Sequence, residues 1–392
     1  MNERIMLSLP HIGGGEQKFV DKAIETNWVV PLGPEVKGFE HDLEEFLNTG
    51  DSRFLTGDDR KKRVVALSSG TAALHLGLIL LGVGRDDEVI CQSFTFAASA
   101  NPVVYAGGKP VFVDSETDTW NLSPRLLEEA IRGRMDKTGK KPKAIIPVHL
   151  YGMPAKMDEI MSIAARYEIP VLEDAAEALG AAFKGQKCGT FGEFAALSFN
   201  GNKIITTSGG GALVCPTEED AGRTMFFATQ ARDSAPHYQH THIGYNYRIS
   251  NVCAGIGRGQ MEVLPDRVKR RREINQIYRE ALKNINGIRF QTEPSGDFYA
   301  NYWLTSILVD PAKTNGITRE DIRLACENAN IETRPLWKPM HLQPVFKDCP
   351  FYGDGTSEKL FENGLCLPSG SILTDEQVQT VISCIISTLK DQ

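Results

Sequence analysis

One lysine lies in a loop whose residue types could support covalent chemistry. Residues 196–214 read ALSFNGNKIITTSGGGALV, in which Lys203 stands between two short β-prone segments among Ser, Asn, Thr and Gly residues. A buried lysine amine in such a loop can form a Schiff base, and the nearby hydroxyl and backbone N–H groups can hold a phosphate. The same letters fit a β-hairpin with a surface lysine at its tip. This stretch alone leaves both interpretations open.

Two further groups of suitable type follow predicted strands. Asp174 comes directly after the predicted strand at 170–173, and its carboxylate could keep a pyridinium nitrogen protonated, which makes such a ring an electron sink. Ser69-Gly70-Thr71 stands at the turn into a predicted helix, where glycine lets the backbone approach an anion and helix N–H groups point at it. Ordinary helix N-caps remain the alternative for both groups.

These residues depend on an alternation of strands and helices between residues 63 and 215. Seven apolar runs are strand candidates, at 64–67, 88–91, 110–113, 144–148, 170–173, 193–199 and 211–215. Helical patterns at 71–81, 95–105, 124–134 and 155–167 separate the earlier ones, which predicts an α/β fold with a mostly parallel seven-stranded sheet. Open sheets of this kind bind ligands at the carboxyl ends of their strands. Phosphate donors, a carboxylate and a lysine at strand ends are the parts that a pyridoxal phosphate site requires.

The pattern changes after residue 250. Residues 251–284 form one long helical pattern, interrupted only by Pro265, and the chain beyond Gly287 alternates as a smaller α+β unit. We therefore predict a large domain at 1–250, a connecting helix at 251–284 and a small C-terminal domain at 285–392. Residues 48–62 are polar and read as a surface loop.

Composition excludes several classes of protein. The formal net charge of -7 argues against a nucleic-acid binder. The basic run 268–272 lies in a helical pattern, which favours a solvated face or a helix that touches acidic groups. The eight cysteines are scattered without a C-x-x-C pair, which argues against a disulfide scaffold or a zinc ribbon. No segment resembles a signal peptide or a membrane span, so we expect a cytoplasmic protein.

Three histidines in a short polar segment raise the question of a metal site. His237, His240 and His242 lack an accompanying acidic or cysteine pattern. A polar loop is therefore the favoured interpretation, and we expect no metal.

Motifs along nearly the whole chain resemble those of one family, the DegT/DnrJ/EryC1/StrS pyridoxal phosphate-dependent nucleotide-sugar aminotransferases. Several of them are weak singly, but their order and spacing are specific. The nearest resemblance within the family is to UDP-4-amino sugar synthases of the bacillosamine type. The resemblance implies fold type I, the aspartate aminotransferase-like fold. The matching segments are WVVPLGPEVKGFE, SSGTAALHLGL, QSFTFAASANPV, PVFVD, VHLYGMPAKMDEI, EDAAEALGA, GTFGEFAALSFNGNKIITTSGGGALV, GYNYRISNVCAGIGRGQMEVL and RPLWKPMHLQPVF.

The resemblance assigns expected roles around the cofactor. Lys203 matches the lysine that binds the cofactor as a Schiff base, and Asp174 matches the partner of the pyridine nitrogen. Glu177 takes the place of a polar side chain near the ring, and Phe96 that of an aromatic that stacks on it. The phosphate contacts are expected from Gly70, Thr71 and Ser198.

The resemblance also implies a partner subunit and a substrate pocket. Asn246 matches an asparagine that reaches the phosphate from the other subunit, which implies a homodimer with shared active sites. Trp337 and His341 lie in a Pro-rich loop that could line the nucleotide-sugar pocket, with structural packing as an equal alternative. The expected substrate contacts are Trp28, Asn202, Arg248 and His341.

The activity that the resemblance implies is a transamination. An amino group would pass from L-glutamate, through the pyridoxamine phosphate form of the cofactor, to C4 of a UDP-linked 4-keto-6-deoxy-N-acetylhexosamine. The product would serve surface glycan or protein glycosylation. A GDP-4-keto-6-deoxymannose aminotransferase of the perosamine type is the alternative within enzymes. A non-catalytic regulator or ligand-binding protein on the same fold is an alternative from another class.

Overall fold

The computed structural model describes residues 3–49 and 61–390, so most of the predicted loop at 48–62 lies outside it. The helices are α1 (Glu16–Glu25), α2 (Pro34–Asn48), α3 (Gly70–Leu80), α4 (Asn101–Tyr105), α5 (Pro124–Thr138), α6 (Met157–Tyr167), α7 (Glu218–Ala228), α8 (Asn251–Met261), α9 (Leu264–Leu282), α10 (Arg319–Asn328), α11 (Thr356–Asn363) and α12 (Asp375–Lys390). The strands are β1 (Arg63–Leu67), β2 (Glu88–Gln92), β3 (Lys109–Val113), β4 (Ala144–Ile146), β5 (Leu172–Asp174), β6 (Ala182–Phe183), β7 (Gln186–Lys187), β8 (Phe194–Ser198), β9 (Gly211–Cys215), β10 (Ile288–Phe290), β11 (Phe298–Tyr299), β12 (Thr305–Val309), β13 (Arg334–Pro335), β14 (Phe351–Tyr352) and β15 (Gly364–Leu367).

The seven predicted strands form one continuous large sheet. The order β1-β9-β8-β5 continues into β4-β2-β3 through parallel bridges that join Ile145 to Val171 and Val148 to Asp174. β14 adds a short parallel edge beside β3. β9 alone among the described strands of this sheet runs antiparallel, because it returns directly from β8. The mostly parallel sheet is confirmed.

The strands are buried on both faces, as their apolar composition requires. α3 is apolar almost all round and lies buried against β8 and β9. The side chain of Ser69 begins α3 by accepting a hydrogen bond from the N–H of Ala72. Because β1, β5 and β8 are parallel, their carboxyl ends bring Ser69, Asp174 and Ser198 to the same edge of the sheet.

The long helical pattern at 251–284 is two helices rather than one. α8 ends at Met261 and α9 begins at Leu264, with Pro265 in its first turn. A proline lacks the N–H that a helix interior needs, but it fits the first turn, where that N–H has no intrahelical partner. The predicted helix at 95–105 is likewise shorter. Phe96 is extended, a single 3-10 turn follows, and α4 starts just before Pro102.

The C-terminal part has its own antiparallel sheet, in the order β10-β12-β15-β13. Apolar side chains of α9, α10 and α12 pack with this sheet into a separate core. Several contacts cross the predicted domain bounds, since β14 joins the large sheet, β11 pairs with β6, and Ile5 pairs with Ile331. The division at 250 and 285 stays a prediction. Within the described residues, no helix is long and apolar enough to cross a membrane.

Candidate active site

Lys203 lies in the connection between β8 and β9, which are neighbouring antiparallel strands with Ser198 opposite Gly211. The hairpin interpretation is therefore right for the backbone. It is wrong for the side chain, which is only 13% exposed. The Lys203 Nζ atom lies 3.3 Å from Glu177 Oε1 and 4.0 Å from the centroid of the Trp303 ring. The amine therefore faces a carboxylate and an aromatic surface inside the protein.

Asp174 ends β5 with a fully enclosed carboxylate. Its Oδ2 atom accepts a hydrogen bond from Ser99 Oγ at 2.5 Å, and its Oδ1 atom accepts one from the Ala176 N–H at 3.2 Å. Burial raises the pKa of Asp174, while these two donors and the positive charge of Lys203 act in the opposite direction. Because two donors already fix this buried carboxylate, it can accept a further hydrogen bond from an N–H group of a ligand without moving.

Glu177 is the second buried carboxylate at this edge. Its Oε2 atom accepts the backbone N–H of Tyr151 at 2.7 Å, and its Oε1 atom faces Lys203. Burial raises the pKa of Glu177 to about 7, although the lysine charge and the Tyr151 N–H favour the ionised form. A carboxyl group with a pKa near neutrality can either accept or donate a proton beside the lysine amine.

The turn at Gly70 has the geometry of a phosphate cradle. The N–H groups of Gly70 and Thr71 belong to the first turn of α3, where a helix supplies no partner for them. A Cβ atom on Gly70 would lie 3.1 Å from the Cβ atom of Ser198, and one on Gly211 would lie 2.3 Å from the Gly70 nitrogen. Two backbones and one hydroxyl therefore meet closely at a helix N-terminus, which is a favourable place for a phosphate.

Aromatic residues lie beside the Lys203 amine and the Glu177 carboxylate. Phe96 is 59% exposed, and its ring centroid lies 5.4 Å from that of Trp337. Tyr151 packs against Trp337 at 5.2 Å and against Trp303 at 6.4 Å, and its hydroxyl accepts the Trp337 N–H. An exposed ring beside this cluster is suitably placed for contact with a planar cofactor.

Three contributors to this site were missed from the sequence. Ser99 lies in an alanine-rich stretch, and Trp303 lies in the predicted small domain without any motif of its own. Tyr151 has a left-handed backbone with φ of 55°, which is uncommon for a large side chain. The only signal available was that the HLYG letters of its segment match the family.

The remaining predicted residues are held by other contacts. His341 Nδ1 lies 2.7 Å from Ser93 Oγ, and its ring stacks on Phe351 at 3.6 Å, so packing accounts for its position. Asn202 is exposed and uses its backbone carbonyl, which accepts the Trp303 Nε1–H at 2.6 Å. Trp28 is 39% exposed.

Arg248 and Asn246 lie in the GYNYR segment. The Arg248 Nε atom is buried without a hydrogen-bond partner among the described residues, and Asn246 is exposed and pairs through its backbone with Thr229. Their expected roles, and those of His341, Asn202 and Trp28, stay predictions. In the described ranges no cluster of metal-binding side chains forms, and His240 instead contacts the Gln230 carbonyl.

The set of side chains fits pyridoxal phosphate. A buried amine, a buried carboxylate, a helix N-terminus and an exposed aromatic ring converge at one edge of the sheet, and residues 10–386 match the DegT/DnrJ/EryC1/StrS aminotransferase family. The chain belongs to this family. Its members are pyridoxal phosphate-dependent sugar aminotransferases of fold type I, and the predicted cofactor, enzyme class and fold are confirmed.

Individual members of the DegT/DnrJ/EryC1/StrS family match the chain along nearly all its length. EpsN of Bacillus subtilis (strain 168), provisionally named a pyridoxal phosphate-dependent aminotransferase, is 47% identical over 390 residues, with 98% of this chain and 96% of EpsN covered. GDP-perosamine synthase of Escherichia coli O157:H7 is 36% identical over 383 residues, with 98% of each chain covered. The crystal structure of a DegT DnrJ EryC1 StrS aminotransferase from Brucella abortus superposes with a TM-score of 0.86 at 29% identity, with 96% and 95% covered. The bacillosamine-type subgroup is not confirmed by these relatives.

Proposed function

We propose that this aminotransferase moves an amino group from L-glutamate to the C4 ketone of a nucleotide-linked 4-keto-6-deoxy sugar. The observation that carries the proposal is the enclosed Lys203 amine, 3.3 Å from Glu177, on the sheet edge that also holds Asp174. Bound pyridoxal phosphate supplies an electron sink for this chemistry. The protein's own groups must then hold the cofactor and move protons.

Each of the enclosed groups has a distinct task in the proposed reaction. The Asp174 carboxylate, fixed by Ser99, holds a proton at the ring nitrogen. The Lys203 amine takes a proton from the α-carbon of glutamate and returns one to C4 of the sugar. Glu177 orients that amine through its contact at Oε1. The N–H groups of Gly70 and Thr71, with Ser198, bind the phosphate.

We propose a UDP-linked N-acetylhexosamine as the sugar substrate, as the motif resemblance implies. The product would be a UDP-4-amino sugar. The 36% identical GDP-perosamine synthase favours a second candidate, the GDP-linked 4-keto-6-deoxymannose. Both sugars present the same C4 ketone, so the enclosed groups described above serve either one.

We also propose a cytoplasmic homodimer with shared sites. Several apolar side chains of the N-terminal segment are exposed, together with others in the segment that precedes Asn246. Four of these side chains lie at 28–32, and grouped apolar exposure of this kind supports an interaction surface. A second copy that covers it would bring its own Asn246 toward the phosphate site. The exposed apolar side chains are Ile12, Trp28, Val29, Val30, Leu32, Tyr238 and Ile243.

The test is a panel of UDP- and GDP-linked 4-keto-6-deoxy sugars incubated with L-glutamate and the purified enzyme. Mass spectrometry identifies the aminated product, and NMR at C4 gives the position and orientation of the amine. We expect turnover with the UDP-linked N-acetylhexosamine to exceed that with the GDP-linked sugar. The reverse order would assign the enzyme to the perosamine type. A colourless preparation that takes up no cofactor and aminates neither sugar would favour the non-catalytic alternative.

A further inference from the structure

One buried arginine lies directly behind the lysine loop. Arg271 belongs to the basic run at 268–272, which the sequence placed on a solvated or acid-facing helix surface. Arg270 and Arg272 follow that expectation, since they contact Asp375 and Glu293. Arg271 does not, because its side chain is fully buried. It therefore requires an explanation of its own.

The guanidinium of Arg271 joins four separate segments of the chain. Nη1 donates to the carbonyl of Trp303 at 2.5 Å and to the carbonyl of Ser369 at 3.2 Å. Nη2 donates to Ser8 Oγ at 3.0 Å and to the carbonyl of Lys203 at 3.3 Å. One cation thus contacts the N-terminal segment, the lysine loop, the residue Trp303 before β12 and the residue Ser369 after β15.

All four acceptors of Arg271 are neutral. Within the described ranges the hydrogen bonds of this guanidinium go to no carboxylate, and its Nε atom has no hydrogen-bond partner there. Burial, with Arg267 nearby, lowers the pKa of Arg271 to about 9, so the group is still charged near neutral pH. An unpaired buried charge destabilises a fold compared with a well-packed apolar residue. A contribution to fold stability therefore does not explain why an arginine occupies position 271.

The groups that Arg271 contacts also hold the loop and the ring that position the Lys203 side chain. Ser8 Oγ also donates to the carbonyl of Asn202 at 2.9 Å, and the Trp303 Nε1–H donates to the same carbonyl at 2.6 Å. The Lys203 Nζ atom lies over the ring of that same tryptophan. Arg271 therefore donates hydrogen bonds both to the backbone carbonyl of Lys203 and to the backbone carbonyl of Trp303, whose ring contacts the Lys203 amine.

We propose that Arg271 is a positioning residue, which locks the Lys203 loop to Trp303 and Ser369 so that the lysine amine is presented to Glu177 and the cofactor. Its four bonds span the large sheet and the C-terminal sheet, so they couple the placement of the lysine to the packing of the two parts. This inference rests on the proposed role of Lys203.

The test compares three variants of the full-length protein. Arg271→Met removes the guanidinium and keeps an apolar chain, while Arg271→Lys keeps the charge but cannot reach four acceptors. Arg267→Met is the matched control, because Arg267 lies one turn earlier on α9 and donates to the carbonyl of His11 instead of the lysine loop. Amide hydrogen exchange of residues 199–207 is measured with and without pyridoxal phosphate. The rate at which acetic anhydride modifies the Lys203 amine is measured in the cofactor-free protein.

We expect Arg271→Met to speed exchange in the loop by about tenfold or more and to change the acetylation rate of Lys203, with Arg271→Lys intermediate. In steady state, kcat should fall more than KM changes. Arg267→Met should lower stability without altering either loop measurement. The proposal is wrong if loop exchange in folded Arg271→Met or Arg271→Lys equals that of the unmodified protein, or if Arg267→Met alters it equally. The exchange and acetylation measurements need no turnover, so their outcome is separate from a failure of the proposed reaction.

Discussion

Glu177→Gln should change how the stability of the cofactor-free protein depends on pH. Burial raises the pKa of Glu177 from 4.5 to about 7. A carboxyl group whose pKa is raised on folding contributes stability below its unfolded pKa, and that contribution is lost as the pH rises through the folded value. A rise of the pKa from 4.5 to about 7 corresponds to about 3 kcal/mol. Glutamine keeps the shape, accepts the Tyr151 N–H and does not ionise.

The assay is urea unfolding of cofactor-free protein at several pH values between 4.5 and about 8. We expect the free energy of unfolding of the unmodified protein to fall by about 3 kcal/mol more than that of Glu177→Gln across this range. The difference between the two proteins isolates Glu177 from other groups that titrate in the same range.

A half-buried carboxyl group, Glu40, provides the control for this calculation. Burial also raises the pKa of Glu40 to about 7, where its Oε1 atom accepts the Ala66 N–H at 3.0 Å. Glu40→Gln should flatten the pH dependence by a similar amount, and Glu177→Gln alone should alter the reactivity of the Lys203 amine. If the free energy of unfolding depended on pH in the same way in Glu177→Gln and in the unmodified protein, the claim that burial raises the pKa of Glu177 would be refuted.

Three further predictions concern the cofactor site. Lys203→Ala should leave no borohydride-trapped cofactor and lower kcat by about 10²–10⁴-fold, as measured by mass spectrometry and steady-state kinetics, whereas undiminished turnover would contradict its role. Asp174→Asn should lower kcat by on the order of 10²-fold with unchanged far-UV circular dichroism, and full activity would show that the ring nitrogen needs no carboxylate. Gly211→Ala should destabilise the protein to urea by about 1–3 kcal/mol and weaken cofactor binding, since its Cβ atom would meet the Gly70 nitrogen at 2.3 Å. Gly209→Ala is its control because no atom lies within 4 Å of the added Cβ, and equal effects of the two would contradict the cradle.

The strands of the large sheet were predictable because they are short apolar runs set between helical patterns. β1, β8 and β9 lie within a residue or two of the predicted ranges. β6, β7 and β11 were missed, since two residues are too short to show any period. α7 was missed although Thr217 caps it by accepting the N–H of Asp220, which is a signal that the sequence contains.

The candidate site was predictable where a residue lies at a strand end and not where it depends on distant packing. Asp174 ends β5 and Lys203 lies in the loop that follows β8, so topology brings them to one edge. Trp303 meets Lys203 across 100 positions of sequence, and no local pattern records such a contact. The burial of Arg271 could not be predicted either, because a run of charged residues does not reveal which side chain points into the protein.

The most direct test of the proposed reaction follows the nitrogen atom itself. The purified enzyme is incubated with L-glutamate that carries an isotopic label on its amino nitrogen and with a nucleotide-linked 4-keto-6-deoxy sugar, and the sugar product is analysed by mass spectrometry and NMR. We predict that the label appears on C4 of the sugar with the unmodified enzyme and is absent with Lys203→Ala. An unlabelled sugar, or a label that persists in Lys203→Ala, would contradict the central claim that Lys203 mediates amino transfer from glutamate to the C4 ketone.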